Sequence, residues 1–156
     1  MQAKARRVPI GEPVPAGFPG YDYADAFEIE IAASDARTAE EFAREALENS
    51  PAALRRFIVL AHRFVLGLRL APLEASGHVL GWRVVESTPD VARLEADSPL
   101  ARAALVGRRI EPTRMRLTTF LSYRQPVVAR MIWTAVGPAH RRIAPFLLER
   151  AARVGG

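Results

Sequence analysis

The side chains here that could do chemistry are three histidines, a pair of aspartates and scattered arginines, and His140 stands in the most suggestive company. It follows Gly137-Pro138, which reads as a helix start, and precedes Arg141 and Arg142. Amides at a helix start point outward unpaired, so an anionic head group there would receive backbone and guanidinium donors. Imidazole titrates near neutral pH, which makes His140 a donor to such a group or a general acid or base. The plainer reading is that His140 only orients the helix start.

The other histidines suggest less. His62 lies in an apolar helical stretch beside Arg63, and His78 opens a strand after Gly77. Neither stands at metal-ligand spacing, so no metal site is expected. Asp22 and Asp25 flank the first strand and could form a carboxylate pair, but turn and cap chemistry is the commoner use of such aspartates. Ser76-Gly77-His78 is a turn, and no G-x-S-x-G, G-x-G-x-x-G or G-x-x-x-x-G-K-[ST] string occurs, which excludes the nucleophile-elbow and nucleotide-loop enzymes. There is no cysteine, hence no disulfide, thiolate or iron–sulfur chemistry. No catalytic residue is assigned and no cofactor is called for.

The formal net charge is +5, carried almost wholly by arginine, since Lys4 is the single lysine. Arginine pairs at 6–7, 55–56, 108–109 and 141–142 are dispersed, and without a longer basic run nucleic acid is not an expected partner. Arg114 and Arg116 share a strand face that Arg130, on what reads as the next strand, would extend. Such a row suits an acidic partner, or is an ordinary solvated face.

The elements that must position these groups come from periodicity. The chain has 49% hydrophobic and 25% charged residues, the make-up of a globular domain. Residues 1–20, rich in proline and glycine, read as an irregular arm, and residues 21–154 as a single domain. No apolar export signal is visible, and Phe57 to Leu73 is too polar to span a membrane, so a cytoplasmic protein is expected. Phe27, Ile29 and Ile31 alternate with Glu28 and Glu30, a strand over 23–32. Thr38 and Glu41 have capping-box spacing before one short helix, and Ser50-Pro51 opens a second. Strands follow at 80–85, 91–96, 101–110 and 114–123, then a hairpin turn at Arg124-Gln125-Pro126 and a last strand over 127–136. A final helix from Gly137-Pro138, with Pro145 inside it, docks through Ile143, Phe146 and Leu147.

This order, an α+β antiparallel sheet of about six strands with two short helices after strand one and a long C-terminal helix, resembles the helix-grip fold of the START and polyketide-cyclase-like (SRPBCC) superfamily. The strings Asp22-Tyr-Ala-Asp-Ala-Phe27, His78-Val-Leu-Gly-Trp82 and Gly137-Pro-Ala-His-Arg-Arg142 are similar to those of a bacterial family known as domain of unknown function 2867, over about residues 21–153. That family has no assigned activity, so no residue role transfers from it.

The superfamily resemblance implies a cavity between the curved sheet and the long helix that accepts a small apolar or amphipathic ligand. Its walls here would be Trp82, Met115, Leu117, Met131 and Trp133 with Phe146 from the helix, while His140 and Arg141 anchor the polar end. The same residues at the same spacing would equally fill a closed core. The leading expectation is a noncatalytic binding protein. The alternatives are a cyclase, dehydratase or hydrolase using His140, and a ligand-free module that forms a homodimer through an exposed sheet edge.

Overall fold

Among the described residues, alternation of apolar and polar side chains builds one antiparallel sheet of seven strands, and three helices pack with it. The structure, a computed structural model, describes residues 2–155. The strands are β1 (Arg6–Val8), β2 (Tyr23–Glu30), β3 (His78–Val79), β4 (Trp82–Ser87), β5 (Val91–Asp97), β6 (Ala101–Glu111) and β7 (Arg114–Tyr123). The helices are α1 (Ala39–Glu48), α2 (Ala52–Leu60) and α3 (Pro126–Val154). In space the strands run β1-β2-β7-β6-β5-β4-β3, so the first long strand pairs with the last.

Period-two patterning gives the sheet two distinct faces. Phe27 and Ile29 of β2 lie on the inner face with Leu94, Leu105, Met115 and Leu121, and α1 and α3 cover them. The outer face carries Ala104, Val106 and Phe120, over which the proline-rich arm lays Phe18. Arg102 pins that arm by donating to the Gly17 carbonyl at 2.8 Å, and Arg108 holds Glu12 in a bidentate pair. The segment read as an irregular arm therefore contains a short strand and acts as the outer cover.

The capping box forms as its spacing requires: Thr38 accepts from the Glu41 amide, and the Glu41 carboxylate accepts from the Thr38 amide. Ser50 does not cap α2. Its hydroxyl donates to the Leu47 carbonyl at 2.8 Å and closes α1 instead. After Leu60 the helix widens into a single π-turn over Ala61–Val65, with the Leu66 amide donating back to the Ala61 carbonyl at 2.9 Å.

The largest correction concerns 127–136, which forms the first third of α3 and not a strand. Pro126 starts the helix at the position where a missing amide costs nothing. Ala129, Trp133 and Gly137 then recur every four residues on its buried side. Apolar Val127, Val128 and Met131 on the exposed side mask that period in the sequence. Gly137-Pro138 is consequently mid-helix, Arg124-Gln125-Pro126 is a strand-to-helix junction, and Arg130 lies on α3, away from the arginine row of β7. Arg114 and Arg116 of that row are engaged within the chain, converging on the buried carboxylate of Glu28. With β1 and β3 added and 127–136 removed, the expected six strands become seven.

Candidate functional site

Between the inner face of the sheet, α2 and α3 lies a cavity of about 100 Å³. The sheet supplies Trp82, Leu105, Leu117 and Leu121, the long helix supplies Trp133, Val136 and Ile143, and Phe57 and Ile58 of α2 close the side. Among this apolar lining stand three polar side chains, His62, Thr119 and His140. A smaller cavity of about 40 Å³ next to it is lined by Phe42, Leu94, Met115 and Leu148.

The expected wall residues divide accordingly. Trp82, Leu117, Trp133 and His140 come together around the main cavity, with Leu117 also bordering the smaller one. Met115 is fully buried but belongs to the smaller cavity. Met131 is 69% exposed and Phe146 42% exposed, both on the outer side of α3. Leu147, not Phe146, is the buried docking residue, with Ile143 partly buried beside it. Arg141 points to Tyr23, donating to its hydroxyl at 3.4 Å, and does not line the cavity.

His140 is not at a helix start, so no free amides surround it and the anion site expected there does not form. It has a different partner. Its Nε2 lies 3.0 Å from Oδ2 of Asp25, a carboxylate 1% exposed on the inner face of β2. The direction of approach falls short of good hydrogen-bond geometry, so the contact is chiefly electrostatic. Tyr23 donates its hydroxyl to the same oxygen at 2.5 Å, and Oδ1 has no partner among the described residues. Trp133 packs against both neighbours, its ring 4.8 Å from that of Tyr23 and 5.3 Å from that of His140.

Burial acts to raise the Asp25 pKa, but the imidazole of His140, the Tyr23 hydroxyl and the charge of Arg7 together outweigh it and hold the carboxyl below its ordinary range. Burial and the Asp25 carboxylate push the Tyr23 phenol up, against the opposing pull of Arg141. Asp25 is therefore a carboxylate at neutral pH that orients the imidazole lining the cavity.

His62 sits on the π-turn, a distortion frequent at functional sites, and lines the same cavity. Trp82 donates its indole N–H to His62 Nδ1 at 3.3 Å, which places the ring proton on Nε2. Burial, with a smaller contribution from the charge of His140, pushes its pKa down to about 4. It is thus a neutral imidazole at pH 7.

Sequence reading weighed Asp25 only as a pair with Asp22 and His62 only as a metal ligand, and did not consider Tyr23. A signal for Asp25 and Tyr23 was present: extending the phase of Phe27, Ile29 and Ile31 back by twos puts both on the buried face, where a carboxylate needs a partner. For His62 no signal existed, because the π-turn that aims it is invisible in the pattern. Among the described residues no group of three or more His, Asp or Glu side chains is placed to hold a metal ion, and no helix is long and apolar enough to cross a membrane.

Comparison with family models, curated proteins and solved structures gave no match for this chain.

Proposed function

We propose that the chain is a binding protein on a helix-grip scaffold and holds a small, mainly apolar molecule between the sheet and α3. One observation carries this reading: a cavity lined by apolar side chains from sheet and helices, with a neutral imidazole at one position and an imidazole beside a carboxylate at another. Apolar walls with a few polar anchors suit a ligand whose body is dehydrated and whose polar end is hydrogen-bonded. A space of about 100 Å³ is smaller than the roughly 150 Å³ that holds one benzene, so it takes a molecule of about four or five non-hydrogen atoms, or part of a larger one, and not a long acyl chain.

Native mass spectrometry of protein from its own host, followed by denaturing extraction, tests the proposal. A stoichiometric small molecule that also quenches Trp82 and Trp133 fluorescence on add-back supports it. A ligand that binds equally well to a variant with the cavity filled, Ala139→Leu, refutes it.

The Asp25–His140 contact favours a second reading, in which the ligand is a substrate. Asp25 would orient His140 and stabilise its imidazolium, so that His140 takes a proton from one position of the substrate and returns it at another, as in an isomerase or a dehydratase. Incubating the extracted molecule with wild type and with His140→Gln separates the readings. Chemical change only with wild type supports catalysis, and an unaltered molecule in both leaves the carrier reading. The third expectation, pairing through a sheet edge, is disfavoured by edge strands of three and two residues, too short to template a partner.

A further inference from the structure

Phe57, Leu60, Phe64 and Val65 of α2 and its π-turn stand exposed beside the cavity, Phe64 to 77%. Of this segment only Ile58 is buried, so core packing does not account for the large apolar side chains around it. A cluster of that kind marks a surface that something covers.

The charge around the cluster is one-sided. Between Asn49 and Leu73 the chain carries Arg55, Arg56, Arg63 and Arg69 and no aspartate or glutamate. The facing part of α3 repeats the pattern: Val127 and Met131 are exposed, and from Gln125 to Leu148 there are Arg130 and Arg142, besides Arg141 turned to Tyr23, but no acidic residue. The two segments meet at the cavity, where Phe57 and Ala61 line one side and Val136 and Ala139 the other. Leu66 and Ile132 share a small neighbouring pocket, which extends the contact toward the exposed start of α3.

We propose that this rim docks on an anionic lipid bilayer, with Phe57, Leu60 and Phe64 at the boundary of the acyl chains and the arginines on the phosphate headgroups. Within both segments large apolar side chains stand among arginines with no carboxylate, the composition by which a helix lies in a membrane interface, and Asp22 and Asp97 come in only at the edge, from the sheet. Lipid phosphates complement the uniform positive charge of both segments. A second copy seated on the same rim would bring arginines against arginines, which is repulsive. The proposal deepens the binding reading, on which it rests for its purpose, because docking turns the cavity side toward the lipid from which an apolar ligand would come. The test uses no cavity ligand, so failure of docking and failure of ligand binding are distinguishable.

The experiment is co-sedimentation of the full chain with vesicles of phosphatidylglycerol and phosphatidylcholine, and with phosphatidylcholine vesicles alone, at low and at high salt. The expected result is pelleting with the anionic vesicles, weakened by salt, and little with the zwitterionic ones. Phe64→Glu should lower it by roughly tenfold, through loss of apolar insertion and gain of a repelled charge. Val154→Glu makes the same charge change at an exposed apolar position outside the rim and should leave binding unchanged, with circular dichroism showing both variants folded. No pelleting, an equal loss in both variants, or a stable dimer in solution that Phe64→Glu dissociates would each overturn the proposal, the last by showing that a second copy covers the rim.

Discussion

Asp25 on β2 and His140 on α3 hold carboxylate and imidazole 3.0 Å apart, although the two elements are joined only through the rest of the domain. The contact ties the long helix to the first long strand at the cavity wall. It also puts the most buried carboxylate of the inner face next to one of the two histidines that line the cavity.

Breaking that contact should be costly on one side above all. His140→Ala leaves a buried carboxylate without the imidazole beside it, and about 2–3 kcal/mol of unfolding free energy should be lost in urea titration, below the full cost for a pair buried on both sides. The folded-state pKa of Asp25 is lowered, so its contribution to stability is present above the ordinary carboxylate pKa and lost as pH falls through its own lower value. In His140→Ala the Asp25 carboxyl should instead titrate above the ordinary range, since burial then dominates. Unchanged Asp25 titration by carbon-13 NMR would end the argument that the two residues are coupled.

His62 sets a second pH dependence, of the same sign but in a different window. Its pKa falls from 6.5 to about 4 on folding, so the unfolded chain binds the proton first. Its contribution is complete above pH 6.5 and is lost progressively between 6.5 and about 4, by up to roughly 3 kcal/mol. His62→Gln should flatten the stability profile across that window while leaving the carboxylate-driven fall below it. A profile identical to wild type would show that this imidazole is not dehydrated.

On α3 the neighbours Phe146 and Leu147 should respond oppositely to truncation. Phe146→Ala removes a ring 42% exposed and should cost less than about 1 kcal/mol, whereas Leu147→Ala opens the core and should cost about 3. Equal losses in thermal unfolding would mean that the helix is rotated about its axis.

That pair also shows where the sequence was legible. β2, β5 and β7 are readable because one face is apolar and the other charged, as with Ile29 against Glu28 and Met115 against Arg116, and period two then has no competitor. α1 is readable from Thr38 and Glu41. The start of α3 is not, because its buried side uses Ala129 and Gly137 while its exposed side uses Val127 and Met131, inverting the usual contrast. Trp82 and Leu117 line the cavity in keeping with their strand phase, whereas Trp133 and His140 reach it from a helix where the pattern suggested a strand and a helix start. Met131 and Phe146 were misplaced by the same inversion on α3. Strand phase places Asp25 beside Tyr23 on the buried face, but its helix partner, His140, lies beyond any local pattern.

Gly81 gives a local test of how the Trp82 wall is set. Its φ is +84°, and a Cβ there would lie 2.8 Å from the Ala71 carbonyl oxygen and 2.8 Å from Leu70 Cβ. Backbone strain and a clash with main chain combine, so Gly81→Ala should lose about 2 kcal/mol or more and loosen the Trp82–His62 contact, seen as a red shift in tryptophan emission.

Thr119 offers the sharpest separation of stability from binding. Its hydroxyl is buried against the cavity and has no partner among the described residues, an arrangement that costs free energy in the empty protein. Valine has the same shape without the oxygen. Thr119→Val should therefore leave the ligand-free fold as stable as wild type or raise it by up to about 1 kcal/mol, since an unsatisfied polar atom is exchanged for a methyl group. If the bound molecule hydrogen-bonds to that hydroxyl, the variant should bind it about fivefold to tenfold more weakly, the value of one ordinary hydrogen bond. Chemical denaturation of ligand-free protein, with fluorescence titration of the co-purified molecule, reads both quantities. A destabilised variant with unaltered affinity would mean that the hydroxyl serves the fold, and the cavity would lose Thr119 as a polar anchor.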